Sequence, residues 1–344
     1  EVFPLRRPVI VTAGSSIHRF SVTQLINYQR CPRQYYFERV LRLPAADELA
    51  IWNNAEAPEP PSNINATLKG AVIHRFCERY TPDQGSEELL RQSFADVLRL
   101  RQAQLADRLV EINPEAAIKD LLPLANNYLA SEVFARVERA REQDKSTSAL
   151  PGEPGLWSEL SFRLRRPLGI LSGIIDKLLI TQTPEGWFEA EIIDFKTNRI
   201  RVDVPAVVYE PPAKRRRARS AQFAFEFEPE PEPPALDVAT NNIIEITARD
   251  YELQMQAYAH AVRELIPSLA NSKIRVTLHF LDPNVETHLS DALLEPARCA
   301  RAIDEAMMRI VTSADPSHFP VKTAPHCRMC NFLRVCTAGR EYLR

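Results

Sequence analysis

The sequence predicts an α/β fold. Helical periodicity dominates to about residue 142, and short apolar runs separated by turn residues take over after it. From there the order is three strands, a helix, a strand and a helix, before a cysteine-rich tail. The 344 residues amount to about two domains and can bury a sizeable core without staples. A composition 45% hydrophobic and 26% charged excludes a disordered or fibrous chain. No apolar run approaches the roughly 18 residues of a membrane helix, so no membrane partner is expected. The net charge of −2 advertises no nucleic acid, although a local basic groove can lie beneath a neutral total.

The elements follow in order. Ser21 is placed to cap a helix running into Cys31 and Pro32, where the proline breaks or restarts it. Residues 44–66 have four prolines and no period, which reads as a loop. Helices are expected over 68–80, 86–110 and 114–143, the last with Pro114 at its first turn. After the PGEPG turn at 151–155, strands are expected over 156–164, 168–181 and 187–196, separated by Arg166-Pro167 and by Pro184-Glu185-Gly186. Residues 201–246 join KRRRAR at 214–219 to FEFEPEPEPP at 225–234, and are expected to be a disordered, charged surface insertion. The basic run is the part of it that could touch phosphates. Thr247, three before Asp250, has the spacing of a capping box and opens a helix that stops at Pro267. A strand over 273–281 and a helix over 290–313 complete the series, and no internal repeat is found.

Three regions result: a helical N-terminal region at 1–150, a core at 151–313 and a cysteine-rich end at 314–344. The chain begins at Glu1 with neither an initiator Met nor a signal peptide, which reads as a segment of a longer or processed polypeptide. Six cysteines are too few for a disulfide scaffold, and a cytoplasmic location is expected.

The chemistry centres on Asp176, in Gly173-Ile-Ile-Asp176, and on Asp194 and Lys196, in Ile192-Ile-Asp-Phe-Lys196. Asp194 and Lys196 are two apart on a strand and share a face. The apolar residues around them suggest burial on both sides, where a charged pair is costly unless matched. Two carboxylates from neighbouring strands can share a hard cation such as Mg²⁺, and a lysine beside them can serve the attacking water and offset phosphate charge. That set suits phosphodiester hydrolysis. Taken alone, D-x-K is more often an ion pair at a strand end, and it is the second aspartate that tips the balance. His74 lies on a helix ahead of the strands, where a histidine is ordinarily a surface or core residue. Tyr251, Gln254 and Tyr258 recur at i, i+3 and i+7 on one helix face, where an apolar stripe would not choose glutamine.

G-x-x-H, G-x-x-D, D-x-K and Y-x-x-Q-x-x-x-Y, in that order, resemble the RecB-type nucleases of the PD-(D/E)XK superfamily across residues 20–340, apart from the 201–246 insertion. The resemblance implies a restriction-endonuclease-like core, a mixed central sheet flanked by helices. It implies Mg²⁺ (or Mn²⁺) held by His74, Asp176 and Asp194, with Lys196 assisting the water and Gln254 and Tyr258 supporting the site and the DNA backbone. Glu159 and Glu191 also lie on these strands; nothing in the pattern singles them out, and both stay as candidates for supporting groups around the metal ligands.

Cys327, Cys330 and Cys336 form C-x₂-C-x₅-C, which can grip one metal or one cluster. A closed site wants a fourth ligand, and His326 and the remaining cysteines are candidates. Cys77 and Cys299 fall within helices, where a buried inert thiol is the default. Cys31 stands apart in C-P-R-x-Y-x-F. With that string, the tail resembles the iron–sulfur variant of these nucleases found in AddB-type helicase–nuclease subunits. The resemblance implies a [4Fe–4S] cluster on Cys31, Cys327, Cys330 and Cys336; on spacing alone, zinc is the alternative. It further implies a DNA exonuclease fed single-stranded ends, partnered by a helicase region or a helicase–nuclease subunit, in double-strand break repair. No Walker A motif occurs in the chain, so an ATPase would lie elsewhere. Two rival readings are a free-standing clasped exonuclease of the CRISPR-adaptation type and a decayed nuclease-like DNA-binding module.

Overall fold

A computed structural model describes residues 5–6, 18–43, 64, 66–105, 112–142, 151–200, 238–313 and 315–344. It has a mixed central sheet with helices on both faces, as the resemblance implies. The strands are β1 (Leu5–Arg6), β2 (His18–Ser21), β3 (Gly155–Arg166), β4 (Gly169–Gln182), β5 (Phe188–Arg199), β6 (Lys273–Asp282) and β7 (Val285–His288). The order across the sheet is β1-β3-β4-β5-β6-β7, and β2 also pairs with β4. The β3–β4–β5 meander and the β6–β7 pair are antiparallel, whereas β5–β6, β2–β4 and β1–β3 are parallel. The tight β3–β4 turn brings β2 so close that a β-carbon at Gly169 would collide with the His18 carbonyl.

The helices are α1 (Val22–Arg30), α2 (Pro32–Tyr35), α3 (Ala66–Arg79), α4 (Ser86–Leu105), α5 (Pro114–Leu129), α6 (Glu132–Glu142), α7 (Val238–Asp250), α8 (Glu252–Leu265), α9 (Pro296–Thr312) and α10 (Thr337–Tyr342). Ser21 caps α1 reciprocally with Gln24, and Pro32 restarts the chain as α2. Each sheet face buries its own core. One packs Leu25 of α1, Met255 and Tyr258 of α8 and Ile303 of α9 on Leu160, Phe162, Leu171 and Ile175. The other packs Ile73 and Phe76 of α3, Phe94 of α4, Tyr128 of α5 and Val137 of α6 on Leu179, Ile193 and Phe195. Among the described residues no helix is long and apolar enough to cross a membrane.

Several elements differ from the sequence reading. The single helix expected over 114–143 is two, because the Ser131 hydroxyl caps a new start by accepting from Phe134 N at 3.1 Å. Thr247 is not a cap: it lies within α7 and donates back to the Ile243 carbonyl, an alternative partner always open to a helical threonine. Helix α7 begins at Val238, so 238–246 are helical and not part of a disordered insertion; residues 201–237 lie outside the described residues, as do 106–110 of the expected second helix. Helix α9 starts at Pro296, not 290, because Glu295 accepts from Ala297 N and Arg298 N and caps it there. Strands β1, β2 and β7 were not foreseen; at two to four residues each, their periods are too short to read.

Candidate active site

The β4–β5 ladder ends at the pair Lys177–Ile193. The next residue on each strand is a carboxylate, Asp176 on β4 and Asp194 on β5, so the two acids face each other where the strands part. Strand β2 occupies the far side of the gap, alongside 169–172 of β4. Across β4 the pairs Ser158–Lys177 and Leu160–Ile175 flank Glu159 and set it opposite Asp176. Glu159 adopts φ +50°, left-handed backbone that costs about 1–3 kcal/mol for a residue with a side chain. The alternation of both strands slips by one here. Leu160 and Ile175 face one core, whereas Leu156 and Leu179 face the other. The slip turns a two-sided apolar sheet outward at the point where charged groups gather.

From α3, His74 reaches across to this point. Its Nε2 donates to the Phe195 carbonyl at 3.1 Å, which leaves Nδ1 facing Asp176 Oδ1 at 3.3 Å. Asp176 Oδ2 accepts from Phe195 N–H at 2.8 Å, so one carboxylate ties β4, β5 and α3 together. On β5, the Lys196 ammonium pairs with Asp194 Oδ2, lies 3.8 Å above the Tyr251 ring and donates to Gln254 Oε1 at 3.2 Å. The Gln254 amide NH₂ contacts Asp194 Oδ1 at 3.1 Å and Tyr258 OH at 2.8 Å. Asp194 is 2% exposed and Lys196 9%. The structure thus brings His74, Asp176, Asp194, Lys196, Gln254 and Tyr258 into one cluster.

The electrostatics show a surplus of acid. Burial raises the Glu159 carboxyl to about 7, reinforced by Asp176. Burial likewise pushes Asp194 up to about 6 despite Lys196. For Asp176, burial is outweighed by His74 and the Phe195 N–H, which hold it below the ordinary range. Burial also works against the His74 cation, but Asp176 prevails and lifts the imidazole to about 9. Lys196 is raised above its ordinary value: burial opposes its charge and Asp194 more than restores it.

A cation is the ready answer to that surplus. One ligand atom each from His74, Glu159 and Asp176 lies within 4.8 Å of the others. A set of carboxylate oxygens with one imidazole fits a hard divalent ion. The Nε2–H bond to the Phe195 carbonyl fixes the imidazole, a backbone partner of the kind metal-binding histidines commonly use.

Sequence reasoning kept Glu159 only as a candidate supporting group and not as a metal ligand, although a signal existed. Glu159 precedes Arg166 by as many residues as Asp176 follows Gly169, so a tight turn between them sets the two acids opposite. Glu191, the other strand glutamate, joins a separate network with Arg136 and Thr277. Tyr251, the first tyrosine of Y-x-x-Q-x-x-x-Y and given no role of its own there, supplies the ring beneath Lys196.

The model of the PD-(D/E)XK nuclease superfamily matches residues 19–224, well over half of the chain. The chain belongs to this superfamily. PD-(D/E)XK nucleases typically use divalent metals and act on DNA, which agrees with an acidic site at a parting of two strands. No curated protein matches. Among solved structures, the crystal structure of SSO0001 aligns at 13% identity over 95% of this chain and 89% of that one, with a TM-score of 0.34.

The second group of candidates lies where α1 and α2 meet the C-terminal segment. Cys31, at the junction of α1 and α2, lines one small pocket with Cys327, Cys330, Cys336 and His326. Around it, Tyr28, Tyr35 and Phe319 pack as an aromatic cluster, Tyr28 OH meets Ser313 Oγ at 2.9 Å, and Arg33 N donates to Pro320 O at 3.3 Å. Cys77 and Cys299 are buried elsewhere; burial raises both thiols, Cys299 to about 11.

Proposed function

We propose that this PD-(D/E)XK nuclease is a Mg²⁺- or Mn²⁺-dependent DNA exonuclease acting on single-stranded ends. The observation that carries the reading is the acidic cluster where β4 and β5 part, with the Lys196 ammonium held beside it. His74, Glu159, Asp176 and Asp194 are the residues that would hold the ion. A divalent cation bound there supplies water of lowered pKa and neutralises phosphate charge. The chain's own groups do the rest. Lys196, kept as an ammonium by Asp194, donates toward the attacking water or a phosphate oxygen and orients it. Gln254 and the Tyr251 ring fix the ammonium in place, and Tyr258 anchors Gln254 in turn.

The four cysteines at one pocket support a [4Fe–4S] cluster as a second cofactor. It would fasten α1–α2 to the C-terminal segment and leave the chemistry to the sheet. The motif order and the C-P-R-x-Y-x-F string favour a RecB- or AddB-like nuclease working with a helicase in double-strand break repair. Incubating the protein with Mg²⁺ and matched linear and circular single strands tests the reading. Shortening of the linear strand alone is expected, and cleavage of both alike would rule out an exonuclease.

A further inference from the structure

We infer that the outward face of the β3–β4 hairpin and β2 is a track for one DNA strand leading from the catalytic carboxylates; the assignment rests on the nuclease reading above. Beyond Glu159 and Asp176, the residues of one parity bury Phe162, Leu164, Leu171 and Ile175 against the first core. The opposite parity faces out in rows set by the register: Ser161 with Ile174, Arg163 with Ser172, and Arg165 with Ile170. Strand β2 extends the last two rows with Ser21 and Arg19. An open groove joins Asp176 and Glu159 to Ser161, Ile174, Arg163 and Thr23.

The charge on this face is one-sided. Arg19, Arg163 and Arg165 are exposed, and none makes an ion pair among the described residues. Their neighbour Arg166, of the other parity, is instead tied to Asp304 and His260. Unpaired arginines beside an acidic site suit a polyanion that must approach that site. The spacing favours a single strand. Successive rows lie about 6.6 Å apart, roughly twice the 3.4 Å between charges along a strand of B-DNA. An unstacked strand matches that repeat better than a duplex does. Ile174, 49% exposed between the carboxylates and the first arginine, offers an apolar surface to a base or sugar.

Fluorescence anisotropy with a labelled oligothymidylate in EDTA tests this without any cleavage. The Arg163→Ala/Arg165→Ala variant should raise Kd about tenfold and reduce the slope of log K against log salt by about 1.4, which is two phosphate contacts on a single strand. Ile174→Ser should weaken binding and leave that slope unchanged. Arg275→Ala, exposed on β6 away from the track, should alter neither. All four side chains are exposed, and equal thermal midpoints would verify folding. Unchanged Kd and slope in the double arginine variant would overturn the track, and so would tighter arginine-dependent binding of a duplex than of a single strand. A wild-type protein inert with Mg²⁺ would sink the nuclease reading, and the anisotropy result would still decide the track.

Discussion

Replacing Gln254 with Ala removes the bracket that holds the site's ammonium. Gln254 accepts from Lys196 at 3.2 Å and has its amide NH₂ at 3.1 Å from Asp194 and 2.8 Å from Tyr258. Two of its partners are charged, and hydrogen bonds to charged groups contribute about 1.5–3 kcal/mol each, against about 1 kcal/mol for a neutral pair. Because the three bonds share one side chain and neighbouring groups can relax, a stability loss on the order of 3 kcal/mol is expected. Lys196 keeps Asp194 and the Tyr251 ring, so its charge survives and only its aim is lost. Misplacement of a positioned group by about 1 Å costs about 10²-fold in rate. The variant should therefore lose about 100-fold in kcat with KM nearly unchanged, measured on end-labelled single strands with Mg²⁺ well below the variant's thermal midpoint. A kcat within a few-fold of wild type in a folded variant would refute the bracket.

Stability should also fall with acid through His260. Burial and the neighbouring Arg166, whose guanidinium donates to Nε2 at 2.7 Å, hold this imidazole at about 4. From pH 6.5 down to 4 the unfolded chain takes up a proton that the folded one refuses, so stability present above pH 6.5 drains away, by about 3 kcal/mol in all. Urea unfolding at pH 7 and 4.5 should show a smaller loss in His260→Asn than in wild type, and equal losses would remove His260 from the account. Anaerobically purified protein should be brown, with about four iron atoms per chain. Cys31→Ser should bleach it and lower the midpoint by several degrees, since closing the loop of roughly three hundred residues between Cys31 and Cys327 is worth on the order of 5 kcal/mol. Cys77→Ser and Cys299→Ser should keep the colour, while zinc in place of iron would sink the cluster.

Much of the fold was legible because long elements repeat their period. The three meander strands and α8 announce themselves through runs such as GILSGIIDKLLIT and through the punctuation at Arg166-Pro167 and Pro184-Glu185-Gly186. Short pieces were not legible: β2 is four residues, and only its register against β4 gives it meaning. In the site, spacing puts Asp194 with Lys196, and Gln254 with Tyr258, on shared faces, and Asp176 together with the order of the motifs singled them out. Glu159 needed the hairpin register, and its left-handed backbone leaves no mark on the sequence. The break at Ser131 and the helical place of Thr247 turned on which backbone group a hydroxyl chose, a choice made by tertiary contacts.

Asp194→Ala tests the central claim most directly, because it removes one carboxylate at the parting of β4 and β5 and leaves the exposed surface untouched. Purified wild type and variant are compared for Mg²⁺-dependent release of nucleotides from end-labelled single strands and, in EDTA, for binding of the same strands. Cleavage in wild type that disappears in the variant, with strand affinity within a few-fold, is the result predicted. Undiminished cleavage by Asp194→Ala would contradict the assignment of this cluster as the nuclease centre.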